Sequence, residues 1–256
     1  MKNKKAIILF LIITLILSSL CYYVRIAGGE KAAGMTAILM FCPTISALIV
    51  RAIYFRGEKI LGINSCRLQY AAAAVIIPFL YLGLSYGIYW LLSKGSLSGQ
   101  LYSNSIGILL LLIPSSLITA AGEEIGWRGF LLPKMTETWN LKIAIFFSGL
   151  IWAVWHYPLI IAGLYQAGTP LWYQLPVFTI EIFAITAILA VLRLRSKSVW
   201  PAIILHASHN YFDQVIFAPL TNNHLSHYYV GETGIITAIL LCLIAFSLLK
   251  KMKPVQ

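Results

Sequence analysis

The chain has 256 residues, of which 60% are hydrophobic and only 11% are charged. Soluble globular domains carry about 25% charged residues, so this composition excludes an ordinary soluble protein. The apolar residues also fall in long blocks, which is the pattern of membrane-spanning segments. We therefore expect one integral membrane domain over residues 1–256, without a soluble module. The four cysteines show no C-x-x-C spacing, which argues against a disulfide framework and against a cysteine metal site.

Eight apolar segments follow one another along the chain, each close to the roughly 20 residues that a helix needs to cross the hydrocarbon layer. They are Ala6–Val24, Ala32–Tyr54, Tyr70–Leu92, Ser105–Ala121, Ile143–Tyr165, Trp172–Leu192, Val199–Phe217 and Gly234–Leu249. We predict an all-α, polytopic fold of about eight transmembrane helices. The first segment is long for a signal peptide and no A-x-A site follows it, so we interpret it as a helix. The fourth is short, and we expect its helix to continue through Glu123 to Arg128.

The 19 Lys and Arg against 8 Asp and Glu would fit a nucleic-acid-binding protein, but their positions favour a membrane. All but three of the basic residues lie before the first apolar segment, in alternate connections or at the segment ends beside them, or after the last segment. The exceptions are Arg25, Lys31 and Lys94. By the positive-inside rule, eight crossings then leave both termini in the cytoplasm. The basic connections would meet anionic lipid headgroups, and we expect no binding of nucleic acid.

The segment Glu123-Glu124-x-x-x-Arg128 directly follows the fourth apolar run and is unusually polar for that place. A charged side chain at bilayer depth costs about 2.5–3.5 kcal/mol or more, so some interaction must offset it. On a helix, Glu124 and Arg128 lie four residues apart on one face and can pair. Glu123 then has no local partner. An unpaired carboxylate at the edge of a low-dielectric site can accept a proton near neutral pH.

Two further polar groups interrupt apolar segments. His156 lies in the fifth segment. His206 and Asn210 lie in the seventh, where their spacing of four places them on one helical face. A lone histidine in a membrane helix can merely bond to a neighbouring helix, but three costly groups are better explained by a shared cavity. From the rise of 1.5 Å per residue, we expect Glu123, His156 and His206 to converge in a cavity that opens to the cytoplasmic half.

Such a cavity is suited to hydrolysis. Glu123 can take a proton from water, and His156 can orient the same water. His206 and Asn210 can donate hydrogen bonds to a developing oxyanion. No serine or cysteine occupies an evident nucleophile setting, which favours activated water over a covalent intermediate. A divalent metal such as Zn²⁺, held by Glu123, His156 and His206, is an alternative, because two histidines and one glutamate form a known catalytic ligand set.

The remaining acidic residues are weaker candidates. Glu181 lies in the middle of the sixth segment, where a carboxylate is costly, and it could line the cavity or pair with a histidine. Asp213 is three residues after Asn210 and either orients that amide or faces the outer loop. We interpret the others as ordinary loop charges; they are Glu30, Glu58, Glu137 and Glu232.

These motifs resemble the type II CAAX prenyl protease family, also called the Abi or CPBP (CAAX protease and bacteriocin-processing) family. The family pattern is E-E-x-x-x-R, then F-x-x-x-H, then H-x-x-x-N or H-x-x-x-D. This chain has, in that order, Glu123-Glu124-x-x-x-Arg128, Trp152-x-x-x-His156 and His206-x-x-x-Asn210. The first motif is quite specific, whereas the other two would be weak alone. Trp152 replaces the usual phenylalanine, and because both are large aromatic residues we expect little effect on activity.

The resemblance implies an intramembrane endopeptidase with a catalytic core over about residues 105–217. It assigns Glu123 and His156 to water activation, and His206 with Asn210 to oxyanion stabilisation. The supporting residues would be Glu124, Arg128, Trp152 and Glu181. The family is grouped with metalloproteases, yet a metal-free glutamate mechanism has also been argued for it, so the metal stays open.

The implied partners are the lipid bilayer and a peptide or membrane-anchored protein substrate, in a bacterial plasma membrane. Eukaryotic members clip prenylated proteins, whereas many bacterial members are linked to bacteriocin immunity or peptide maturation, so a prenylated substrate is not implied. Two rival functions remain. One is a non-catalytic immunity or scaffold protein that uses the same polar cluster for structure. The other is a transporter with an intramembrane carboxylate relay, against which the absence of a repeated half argues. The sequence does not indicate the oligomeric state.

Overall fold

The structure is a computed structural model that describes residues 1–93, 96–97, 101, 106–222 and 224–252. Three residues that entered the sequence predictions, Lys94, Ser105 and Lys253, lie outside the described residues. Within the described part the chain is helical, and its β-structure is limited to one isolated bridge between Leu97 and Thr221. The all-α prediction is therefore confirmed.

The helices follow the predicted apolar segments closely. They are α1 (Lys2–Gly28), α2 (Met35–Tyr54), α3 (Leu68–Leu92), α4 (Ile106–Glu124), α5 (Leu132–Thr136), α6 (Leu141–Ile161), α7 (Leu171–Ser196), α8 (Trp200–Asn210) and α9 (Ile235–Lys250). Short 3₁₀ turns occupy Gly29–Ala32 and Ser226–Tyr228, and π-helical turns occupy Ile125–Leu131 and Tyr211–Phe217.

Six helical stretches of the described chain are long and apolar enough to cross a membrane. They are α1, α2, α3, the continuous α4–α5 stretch, α6 and α7. The seventh and eighth predicted segments are shorter: α8 has 11 residues before its π turn, and α9 has 16. A helix of 16 residues is only about 24 Å long, less than the roughly 30 Å of hydrocarbon. The multi-pass architecture stands, and the predicted count of eight crossings is approximate.

Helix α7 lies at the centre of the bundle. In an apolar stretch of 18 residues within α7, 72% is buried inside the protein. The corresponding share is 17% in the α4–α5 stretch. It packs against α6, α8 and α9, which explains why its sequence is apolar on all sides rather than amphipathic. The outer helices instead expose large apolar side chains, for example Ile8, Leu15 and Leu111, as helices that face lipid do.

The two π-helical turns begin directly after the candidate polar residues. The helix that starts at Ile106 does continue through Glu123 to Arg128 as predicted, but it widens into a π turn after Glu124. A second π turn follows Asn210 at the end of α8. Such turns are rare and are frequently found at functional sites, and here they shift the residues that follow each motif away from ideal α-helical positions.

Candidate active site

Glu124 and Arg128 form the buried ion pair that their spacing predicts. Arg128 Nη1 donates to Glu124 Oε1 at 2.9 Å, and neither side chain is exposed. Arg128 Nη2 donates to Thr186 Oγ1 on α7 at 3.0 Å. His206 Nδ1 on α8 lies 2.9 Å from the same Glu124 oxygen. The pair therefore joins α4, α7 and α8 in one polar network, which gives these two residues a structural part in the site.

A close contact between α2 and the π turn holds this network in place. A Cβ atom on Gly126 would lie 2.4–2.6 Å from Pro43 atoms, two of them in the backbone. Only glycine permits so near an approach. Proline at position 43 also lacks an N–H, which is tolerable in a membrane helix where neighbouring groups satisfy the freed carbonyl. The sequence showed both residues, but not that they meet.

Glu123 is buried, with 2% of its surface exposed, and binds to Trp152. The indole Nε1–H donates to Glu123 Oε2 at 2.8 Å. The Arg128 guanidinium carbon lies 3.8 Å from the centroid of the Trp152 ring, which is a cation–π contact. The sequence suggested that tryptophan is a neutral replacement for phenylalanine here. The structure shows instead that its N–H bonds to the candidate base, an interaction that phenylalanine cannot make.

One cavity brings together Trp152 and His156 of α6 with His206 and Asn210 of α8. His156 Nδ1 lies 2.8 Å from the Trp152 carbonyl oxygen, so Nδ1 carries the hydrogen and Nε2 is left as an acceptor. Glu123 is not among the residues that line the cavity. Its carboxylate contacts the lining residue Trp152 and is near enough to both imidazoles to interact with them electrostatically.

The cavity lies towards one end of the bundle. Its lining includes Tyr165, from the connection after α6, and Glu232, from the connection before α9. A second hollow shares Glu232 and is lined mostly by residues 218–233. Both connections lie at the end that the charge pattern predicts to be outside. The cavity therefore extends towards the end that the charge pattern predicts to be outside, whereas we expected it to open to the cytoplasmic half. Helix depth alone did not reveal which connections cover the polar groups.

Glu232 is a buried residue of the cavity wall, and its interpretation as an ordinary loop charge is wrong. It is 5% exposed, accepts a hydrogen bond from the Tyr165 hydroxyl and accepts another from Gln214 Nε2 at 2.7 Å. Burial, with the Glu232 carboxylate beside it, raises the pKa of the Tyr165 phenol, so the hydroxyl stays protonated and donates. No local signal marked Glu232, because its segment is polar and resembles a solvated loop.

Two other acidic residues occupy this region. Glu181 lines the cavity, which was one of its two predicted roles, and its Oε1 is buried without a hydrogen-bond partner in the described part of the chain. Asp213 lines the outer hollow and accepts a hydrogen bond from the Tyr86 hydroxyl at 2.7 Å, not from Asn210. His209, which flanks the predicted motif, bonds through Nδ1 to the hydroxyl of a tyrosine on α3.

The candidate metal ligands do not fit a metal site. In the described part of the chain, no three His, Cys, Asp or Glu side chains are arranged to hold a metal ion. Glu123 binds the Trp152 indole and His206 Nδ1 binds Glu124, whereas a zinc site of the His₂Glu type needs the three donors to converge on one point. We therefore derive no step through a metal.

Comparison with known proteins matches the same part of the chain. A family model described as type II CAAX prenyl endopeptidase Rce1-like matches residues 105–212, which include all three motifs. Over these residues the chain is similar to that family. CAAX prenyl protease 2 from Methanococcus maripaludis is 30% identical to it over 141 residues. That alignment covers 52% of this chain and 49% of the archaeal protein, so the chain spans about half the length of the curated relative it matches.

In this Rce1-like segment the two adjacent glutamates have different hydrogen-bond partners. Glu124 is committed to Arg128 and His206 through one oxygen. Within the described residues, the side-chain hydrogen bond to Glu123 comes from Trp152 and occupies Oε2. The first glutamate is therefore the one whose carboxylate retains capacity for a further partner, which fits the roles that the family resemblance implies for the pair.

Proposed function

We propose that the chain is an intramembrane endopeptidase that hydrolyses a peptide bond of a membrane-associated protein or peptide. The observation that carries this proposal is that His156 and His206, from two helices, line one cavity, and that Glu123, from a third helix, bonds to Trp152 of the same cavity wall. Each of these groups is costly within a bilayer, and a catalytic site is a reason for all three to occur together. The match to the Rce1-like family model and the name of the archaeal relative support the same class of reaction.

In the proposed mechanism, Glu123 and His156 Nε2 hold the attacking water. Glu123 takes a proton from the water as its oxygen bonds to the peptide carbonyl carbon. The carbonyl oxygen becomes an oxyanion. His206, held as an imidazolium by the Glu124 carboxylate, and Asn210 donate hydrogen bonds to that oxyanion. Glu123 then gives its proton to the leaving amine as the carbon–nitrogen bond breaks.

The approach of water to Glu123 requires a local change. Glu123 does not line the cavity, and its Oε2 accepts the Trp152 N–H. Catalytic hydrogen bonds are often incomplete before substrate binds and form only in the complex. In this proposal, substrate binding turns the Trp152 indole enough for water to contact both Glu123 and His156.

The test is cleavage of peptide and membrane-protein substrates by detergent-purified protein, followed by mass spectrometry. Glu123→Gln and His156→Ala should each lower kcat by about 10²–10⁴-fold without loss of the folded protein. Glu58→Gln is the matched control, because Glu58 is an exposed carboxylate whose ion-pair partner in the described residues is Lys2, and it should retain activity. Full activity in Glu123→Gln contradicts the assigned roles. A wild-type protein that cleaves nothing, yet unfolds when Glu124 is replaced, supports the non-catalytic scaffold instead.

The substrate and the compartment belong to the same proposal. The words CAAX and prenyl describe the archaeal relative, and we propose for this chain a role in peptide maturation or bacteriocin immunity. The protein is an integral multi-pass membrane protein, and we place it in a bacterial plasma membrane with both termini in the cytoplasm. Parallel assays of prenylated and unprenylated forms of one peptide decide whether the lipid is needed.

We also propose that the reaction proceeds without a metal, since the donor set does not fit one. Treatment with 1,10-phenanthroline should leave the cleavage rate unchanged, and metal analysis of the purified protein should find less than one equivalent. A rate that chelation abolishes and Zn²⁺ restores would contradict this part of the mechanism.

A further inference from the structure

The cavity beside the candidate catalytic residues has an acidic wall. Glu181 of α7 and Glu232 of the connection before α9 both line it. Asp213 lines the adjoining hollow, which shares Glu232. The three carboxylates are 4%, 5% and 2% exposed, respectively, and they interact electrostatically with one another. They come from three separate elements, so the fold rather than the local sequence brings them together.

In the part of the chain that the structure describes, neutral side chains donate hydrogen bonds to this wall, and one carboxylate oxygen has no partner. A tyrosine hydroxyl and a glutamine amide donate to Glu232, and a tyrosine hydroxyl donates to Asp213. Glu181 lines the cavity, and its Oε1 is buried with no hydrogen-bond partner among the residues that the structure describes. A buried polar atom without a partner is unusual and calls for an explanation.

Positive charge is scarce around the same wall. In the described residues, the ion-pair partner recorded for these three carboxylates is His209, whose Nε2 lies 3.9 Å from Glu232 Oε1. The buried arginine of the site, Arg128, is committed to Glu124. A buried carboxylate that lacks a countercharge is costly, so this wall favours a cation that enters the cavity.

The rest of the lining suits an organic cation. Trp152, Tyr165 and Phe178 present aromatic rings to the cavity. Aromatic faces attract ammonium and guanidinium groups by cation–π interaction, most strongly where water is excluded. Carboxylates beside aromatic rings therefore recognise both the charge and the apolar stem of a basic side chain.

We propose that Glu181 and Glu232 form a binding subsite for an ammonium or guanidinium group of the substrate. The inference rests on the proposed endopeptidase function. Since the subsite shares its cavity with His156 and His206, a basic group bound there holds the neighbouring backbone close to the attacking water. The protein then selects substrates that carry a basic group beside the cleaved bond.

The test compares peptides that differ at a single residue near the cleaved bond, with lysine in one and methionine in the other. Wild-type kcat/KM should be about tenfold or more higher for the lysine peptide. In Glu181→Gln this ratio should fall close to one, whereas the control Glu58→Gln should keep it. A purely structural role would lower both rates equally and leave the ratio unchanged. Arginine peptides, and peptides with a free or acetylated amino terminus, identify which cationic group is bound.

A binding measurement separates this inference from the endopeptidase proposal. The lysine peptide should raise the melting temperature of the Glu123→Gln protein more than the methionine peptide does, and adding Glu181→Gln should remove the difference. If the wild type cleaves nothing but this difference is present, the subsite stands and the endopeptidase proposal falls. Equal effects of the two peptides in both assays overturn the subsite. If Glu181→Gln does not fold, Glu232→Gln takes its place in both assays. A Glu232→Gln protein that keeps the wild-type ratio of kcat/KM between the lysine and methionine peptides then refutes the subsite.

Discussion

The ion pair between Glu124 and Arg128 should dominate the stability of the buried polar network. Replacement of Glu124 by Gln removes one carboxylate that receives hydrogen bonds from both Arg128 and His206. It also leaves the fully buried Arg128 without its countercharge. Breaking a buried pair by removing one partner costs about 3–5 kcal/mol, so we expect Glu124→Gln to lower the free energy of unfolding by that amount.

The geometry also predicts which variants lose the most free energy of unfolding. Arg128→Met should cost less than Glu124→Gln, because His206 still faces the Glu124 carboxylate when the guanidinium is gone. The double variant should be about 1–3 kcal/mol more stable than the sum of the two single changes, because it leaves no orphaned arginine. Glu58→Gln is the matched control: both side chains of its Lys2 pair are about half exposed, at 52% and 51%, and such pairs contribute about 0–1 kcal/mol.

The assay is equilibrium unfolding of the purified variants in mixed micelles, monitored by tryptophan fluorescence and circular dichroism. A Glu124→Gln protein within about 1 kcal/mol of the wild type would refute the reasoning. So would strict additivity in the double variant, since residues in direct contact are expected to couple.

Three other changes test separate parts of the account. Trp152→Phe removes the N–H bond to Glu123 but keeps an aromatic ring, so the free energy of unfolding should fall by about 1.5–3 kcal/mol while cleavage persists; loss of cleavage would show that the indole itself is required. Gly126→Ala places a Cβ 2.4 Å from Pro43 Cβ, so thermal stability should drop, and a wild-type melting temperature would disprove this close packing. In a chain without native cysteines, a cysteine introduced at residues 218–233 should react with impermeant maleimide on intact cells; protection there would reverse the predicted topology.

Much of the fold could be predicted because it depends on local chemistry. Long apolar runs specify membrane helices wherever they occur, and the spacing of Glu124 and Arg128 specifies their pairing. The sequence did not predict how the helices change shape at their ends. The helix widens into a π turn after Glu124, and within that turn Gly126 packs against Pro43, a contact between residues far apart in sequence.

The candidate site could be predicted in its members but not in its arrangement. The motifs indicated His156, His206 and Asn210, which the structure gathers around one cavity. The acidic wall could not be foreseen, because Glu232 is buried only through the way the last connection folds over the bundle. The side on which the cavity lies was equally hidden, since it depends on which connections cover the polar groups.

The most direct test of the account is whether Glu123 and His156 share a water molecule. A high-resolution cryo-electron microscopy map of the protein in lipid nanodiscs, with an uncleavable peptide bound, should show an ordered water within about 2.6–3.2 Å of both the Glu123 carboxylate and His156 Nε2. A dry site, in which Trp152 still covers Glu123 and no water reaches it beside the bound peptide, would contradict the proposed hydrolytic site.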